Sequence, residues 1–129
     1  AWAGSPDAAL APLRVPVLSR HAVTGADAGP GGWLHVVFRH WSPETGVSIR
    51  LRAYPPGPDL DGARHVAGFE DASGIDNMEG VAAVPSPDGG VALWILGDDN
   101  FNAGQRTVLM RLALPEPGRL QDLPRAAME

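Results

Sequence analysis

Cysteine and lysine are both missing from this sequence, aromatic residues are scarce at 6%, and charge is modest at 19%. The lack of cysteine excludes a disulfide framework, a thiol nucleophile and a thiolate metal site. The lack of lysine excludes a Schiff-base amine and the lysine of a phosphate-binding P-loop. All ten basic residues are arginines, scattered along a chain of net charge -5. Nucleic-acid recognition needs clustered cations, so this distribution argues against it. No apolar run approaches the ~20 residues that a membrane-spanning helix requires. Ala1 to Ala11 shows no charged segment followed by an apolar core, hence no recognisable signal peptide.

Glycine and proline make up 29 of the 129 residues, well above the usual ~12% of globular chains. They follow no three-residue period and are interspersed with Val, Leu and Trp, which excludes collagen and full disorder. The length suits one ordinary domain or a few repeats of something larger. Apolar runs are short, and period-2 alternation predicts strands at 13–19, 33–39, 47–53, 65–69, 79–84, 91–96 and 107–114. Val47, Ile49, Leu51 and Ala53 alternate with Ser48, Arg50, Arg52 and Tyr54, the pattern of a strand with one buried side. Val91 to Leu96 is apolar on both faces, as in a strand inside a sheet or between two sheets. Residues 40–46 and 85–90 are hairpin loops by their Pro and Gly content. Tyr54 to Asp59, with three prolines, is expected to be a stiff joint between two hairpin groups. The tail could hold a short helix near 121–128. Such spacing fits a sandwich, a barrel or propeller blades. Two groups of about one blade each are too few to close a propeller, so an incomplete fragment of a larger protein is expected.

Pairing Val84 with Val91 across the 85–90 turn sets a register that opposes Glu79 to Leu96, Asn77 to Asp98 and Asp76 to Asp99. Pairing Gly97 with Thr107 then brings Arg106 near Asp98. Four carboxylates, Asp76, Glu79, Asp98 and Asp99, would gather with Asn77, Asn100 and Arg106 at one end of a three-stranded unit. Facing like charges are destabilising unless something compensates. One reading is a hard-cation site of the Ca²⁺ type, which takes oxygen ligands from Asp, Glu and Asn. A second is acid/base work by one carboxylate whose neighbours raise its pKa. A third is that these residues cap strand ends in water, with Arg106 in a surface salt bridge of little value.

Other motifs are absent or incomplete. Three Arg-His pairs, at 20–21, 39–40 and 64–65, lack the continuation found in histidine phosphatases. The four histidines, His21, His35, His40 and His65, have no zinc-ligand spacing and are expected to be solvent-facing or half-buried. No serine lies in a Gly-x-Ser-x-Gly elbow. Trp33 and Trp94 fall within strands and are expected in the core.

The segment Asp76-Asn77-Met78-Glu79-Gly80, an apolar strand, a Pro-Asp-Gly turn, and Gly97-Asp98-Asp99-Asn100-Phe101 with Gln105-Arg106-Thr107 resemble the "esterase-like activity of phytase" family. Gly97 stands where that family usually has Ser. Residues 36–43 and 48–52 resemble an upstream pair of its strands. The resemblance implies an all-β, propeller-like phytase-like domain of which residues 15–114 are the C-terminal part, flanked by a 1–14 segment and a 115–129 tail. It implies an exported protein, periplasmic or extracellular, hydrolysing phosphoric or carboxylic esters, with the missing blades as partners. On this reading Asp76, Asn77, Glu79, Asp98 and Asp99 would hold a Ca-type cation. Glu79, Asp98 and Arg106 would be catalytic, and Asn100, Gln105 and Arg106 would bind the ester. The other class open to the chain is a non-catalytic propeller module in which the acidic cluster ties strands together.

Overall fold

The computed structural model describes residues 2–3, 11–12, 14–16, 18–57, 60–70 and 77–121. Among these residues nine strands follow in chain order: β1 (Trp2–Ala3), β2 (Ala11–Pro12), β3 (Ala22–Ala28), β4 (Leu34–Ser42), β5 (Gly46–Tyr54), β6 (Arg64–Glu70), β7 (Met78–Pro85), β8 (Val91–Gly97) and β9 (Val108–Leu114). β1 and β2 form a small antiparallel pair. β3 to β6 form a four-stranded antiparallel meander, and β7 to β9 a three-stranded one. The expected all-β, antiparallel class is therefore what forms. Among the described residues no helix is long and apolar enough to cross a membrane.

Alternation places the core. Val47, Ile49 and Leu51 of β5 and Val37 of β4 meet Ala83 of β7 and Val91, Leu93 and Ile95 of β8 in one buried cluster between the sheets. The opposite face of the four-stranded sheet is also covered: Val36, Phe38 and Tyr54 pack beneath Leu18, Leu60 and Ala63. Thus β5 buries both faces rather than the one its alternation suggested, because the segments before β3 and before β6 fold over its polar side.

The sheets meet along a seam between their first strands. Both strands bulge there, β3 at Thr24 and β7 at Glu79. Thr24 Oγ1 donates to the Met78 carbonyl at 2.7 Å, and Asp27 Oδ2 accepts the Ala83 N–H at 2.7 Å. Side chains of β3 thereby satisfy groups on the β7 edge, which among the described residues has no ladder partner on that side and would otherwise expose pairing groups. Gly25 makes the approach possible, since a Cβ at that position would sit 2.5 Å from the Glu79 carbonyl oxygen.

His35 faces the same seam, 1% exposed, and among the described residues neither ring nitrogen meets the geometry of a full hydrogen bond, the Trp33 backbone lying nearest in effect. Burial lowers its proton affinity, with the Trp33 backbone and the Asp27 charge opposing. A histidine buried neutral stabilises the fold above the unfolded-state pKa of about 6.5 and loses that contribution as acid protonates the unfolded chain. The melting temperature is therefore expected to fall between pH 7 and pH 5. His35→Leu should flatten that dependence at little cost at pH 7, because an apolar side chain suits the buried seam and carries no ring nitrogens to desolvate. An unchanged pH profile in the variant would refute the assignment.

Several expectations are corrected. Ala22 to Ala28 forms a strand that its sparse apolar pattern concealed, whereas 14–16 and 18–19 are not strand. The Pro55–Gly57 stretch connects neighbours in one sheet, so the passage between sheets falls after Glu70 instead. The 121–128 helix is not seen at Gln121, which is irregular and accepts the His65 N–H at 3.0 Å through its carbonyl; 122–128 lie outside the described residues. Trp94 is 38% exposed rather than core, with the Arg111 guanidinium 5.8 Å from its ring centre.

Candidate functional site

The junction of β7 and β8 is built on Asn77. This residue is 1% exposed and adopts a left-handed φ of 46°, a conformation that Asn tolerates better than most. Its carbonyl accepts the Asp98 N–H at 3.2 Å, and its Nδ2 donates to the Asp98 carbonyl at 3.1 Å. The reciprocal bonds clamp the start of β7 to the end of β8. Asn77 therefore faces Asp98 as expected, although the hairpin itself runs one residue out of the predicted register: Pro85 opposes Val91 and Gly80, not Glu79, opposes Leu96. The bulge at Glu79 absorbs that one-residue slip. A single extra residue cannot be read from alternation, because it restores the pattern beyond itself.

The following loop is organised by its own side chains. Asp99 Oδ1 accepts the Phe101 N–H at 3.0 Å, Asn102 Oδ1 accepts the Gly104 N–H at 3.0 Å, and the Asn102 N–H reaches the Asp99 carbonyl at 2.8 Å. Asn100 and Phe101 are both left-handed, at φ 49° and 56°, which closes a tight turn and holds the Phe101 ring fully in solvent. Strand β9 pairs with Gly97 through Val108, one residue beyond the expected Thr107. Arg106 is exposed, and among the described residues it forms no ion pair with Asp98 or Asp99. Gln105 is half-buried, its N–H bonded to the Asn102 carbonyl at 2.9 Å.

Of the predicted site residues, Asn77 and Asp98 are directly joined, and Asp99 and Asn100 continue from them into the turn. Glu79 lies on the bulge, exposed. Asp76 lies outside the described residues. Among the described residues no three carboxylate or imidazole side chains converge to hold a metal ion. The part of the cluster that is described thus does not by itself fit a Ca²⁺ shell, which needs about six to eight oxygens.

A second polar group was not foreseen. On the outer face of the four-stranded sheet, Ser48 of β5 stands opposite His40 of β4 and Glu70 of β6. His21 reaches over from the segment before β3, its Nε2 3.1 Å from Ser48 Oγ and its Nδ1 2.9 Å from the Ser19 carbonyl oxygen. The His40 ring centre is 5.5 Å away, and Arg50 pairs with Glu70 alongside. No local motif links residues 21 and 48, so sequence spacing carried no signal for this contact.

Both sheets are meanders in chain order, packed through their first strands, and this defines the chain as an all-β protein of consecutive stacked sheets. Comparison with family models, curated proteins and solved structures finds no match for the chain.

Proposed function

We propose that the chain is part of a phytase-like, propeller-type domain that hydrolyses phosphoric or carboxylic esters, with its reactive rim at the β7–β8 junction. The observation that carries this reading is the Asn77–Asp98 clamp, which joins the two signature segments and fixes Asp98, Asp99 and Asn100 at one rim. The order of the sheets supports it, since successive antiparallel meanders are the repeating unit of propeller blades. The outer face of the second sheet, where Trp94, Leu96 and Leu109 are exposed, agrees. Gly80, Val81, Ala82, Trp94, Leu96 and Leu109 line a shallow apolar depression of about 230 Å³, a surface suited to a further sheet.

A non-catalytic module is the second reading, and one observation favours it: Asn77 Nδ2 and Asp99 Oδ1 are already committed to backbone partners. The cation expected from the resemblance depends on Asp76 joining Glu79, Asp98 and Asp99. Calcium titration of the longest natural form of the protein after chelation, repeated with Asp98→Asn, separates the two. Saturable binding lost in the variant, with chelator-sensitive turnover of phosphate or carboxylic esters, is the result expected for the hydrolase. No calcium binding and no turnover in the complete protein would leave the module.

A further inference from the structure

We infer that Ser48 and His21 form a nucleophile–base pair able to cleave carboxylic esters on the outer face of the four-stranded sheet. This pair is remote in sequence from the Asn77–Asp98 rim and does not rest on the reading above.

The hydrogen-bond chain defines its polarity. The Ser19 carbonyl can only accept, so His21 Nδ1 carries the proton at 2.9 Å. A neutral ring then presents the Nε2 lone pair to the Ser48 hydroxyl at 3.1 Å. Two contacts of an activated serine are present, nucleophile to base and base to an orienting acceptor, around a Ser48 that is 8% exposed. The turn that delivers His21 is strained. Arg20 adopts φ 63°, and the His21 N–H closes on the Leu18 carbonyl at 3.0 Å. Non-glycine residues seldom adopt this region, and those that do cluster at functional sites.

The surroundings favour the chemistry. Burial lowers the proton affinity of His21, the bond to the Ser19 carbonyl opposes it, and the nearby guanidinium groups of Arg50 and Arg52 add to the lowering, which favours a neutral ring able to accept a proton. Glu70, the acidic group facing this cluster from β6, is engaged with Arg50. In the reaction Ser48 Oγ attacks the ester carbonyl carbon while its proton passes to His21 Nε2. The ester C–O bond breaks, and the departing alkoxide takes that proton. Water, deprotonated by the same nitrogen, then releases the acid and restores Ser48.

The test uses the full chain with a fluorophosphonate probe and with p-nitrophenyl acetate. Attack on the probe forms a Ser48 O–P bond and expels fluoride, with the hydroxyl proton going to His21. One label per chain on Ser48, located by peptide mass spectrometry, is expected, with loss of label in Ser48→Ala. His21→Gln, which keeps a hydrogen-bonding side chain but no base, should slow labelling about 100-fold or more while leaving the melting temperature near that of the parent. The parent rate should rise with pH to a plateau, its midpoint below 6.5, and be insensitive to chelator. Activity that persists in Ser48→Ala and vanishes with chelator belongs to the acidic rim instead. Absence of label on folded Ser48, or parent-rate labelling in His21→Gln, overturns the pair. Should His21→Gln not fold, the parent's pH profile decides, and a flat profile overturns it.

Discussion

Gly25→Ala is expected to destabilise the protein by about 3 kcal/mol, the upper end of the usual cost of forcing atoms into a packed interior. The added methyl would meet the Glu79 carbonyl oxygen at 2.5 Å, and that oxygen belongs to backbone. No rotamer change can relieve the overlap, so β3 and β7 must move apart. Movement there also lengthens the 2.7 Å Thr24–Met78 and Asp27–Ala83 bonds on either side, and the losses add. Urea unfolding measures the effect, with Ala26→Ser, at an exposed position on the same strand, as a control expected within ~0.5 kcal/mol of the parent. Equal midpoints for Gly25→Ala and the control would show that the seam is loose.

The second large effect is expected at Asp27. Replacing it by Ala removes the acceptor of the Ala83 N–H on the edge of β7, and an unsatisfied, largely buried donor costs about 1–3 kcal/mol. The bond is charge-assisted, which places the loss toward the top of that range. Asp27→Asn keeps a carbonyl oxygen and should recover roughly half of the loss. Thermal melts of the three proteins at pH 7, where His35 is neutral in the folded and largely so in the unfolded chain, separate the bond from the histidine. If Asp27→Ala melts with the parent, the edge of β7 is satisfied in another way.

These two positions show what alternation leaves out. The sequence predicted strands at 47–53, 79–84, 91–96 and 107–114 because apolar residues at every second place mark a face that must leave water. It passed over 22–28, where Thr24, Gly25 and Asp27 face the neighbouring sheet in place of the usual hydrophobic side chains. A strand docked through hydrogen bonds and a close backbone approach has no hydrophobic period to detect. His35 escaped for a related reason: its burial follows from the second sheet closing over it. The Asn77–Asp98 pairing was legible because the hairpin turn and the strand lengths constrain where chain ends meet. The details around it depended on the bulge at Glu79, which shifts register without altering composition.

By itself, then, the sequence determined the all-β class, the order of most strands, the turn at 85–90 and the meeting of Asn77 with Asp98, all of them consequences of local periodicity and short loops. The tertiary structure alone decided which sheet each strand joins, the polar seam of Thr24, Gly25 and Asp27, and the covering of β5 on both faces. It alone brought His21 to Ser48, 27 positions apart. Such contacts arise where separately folded segments come to rest against one another, and the free energy that selects them comes from surfaces that exist only after the sheets have formed.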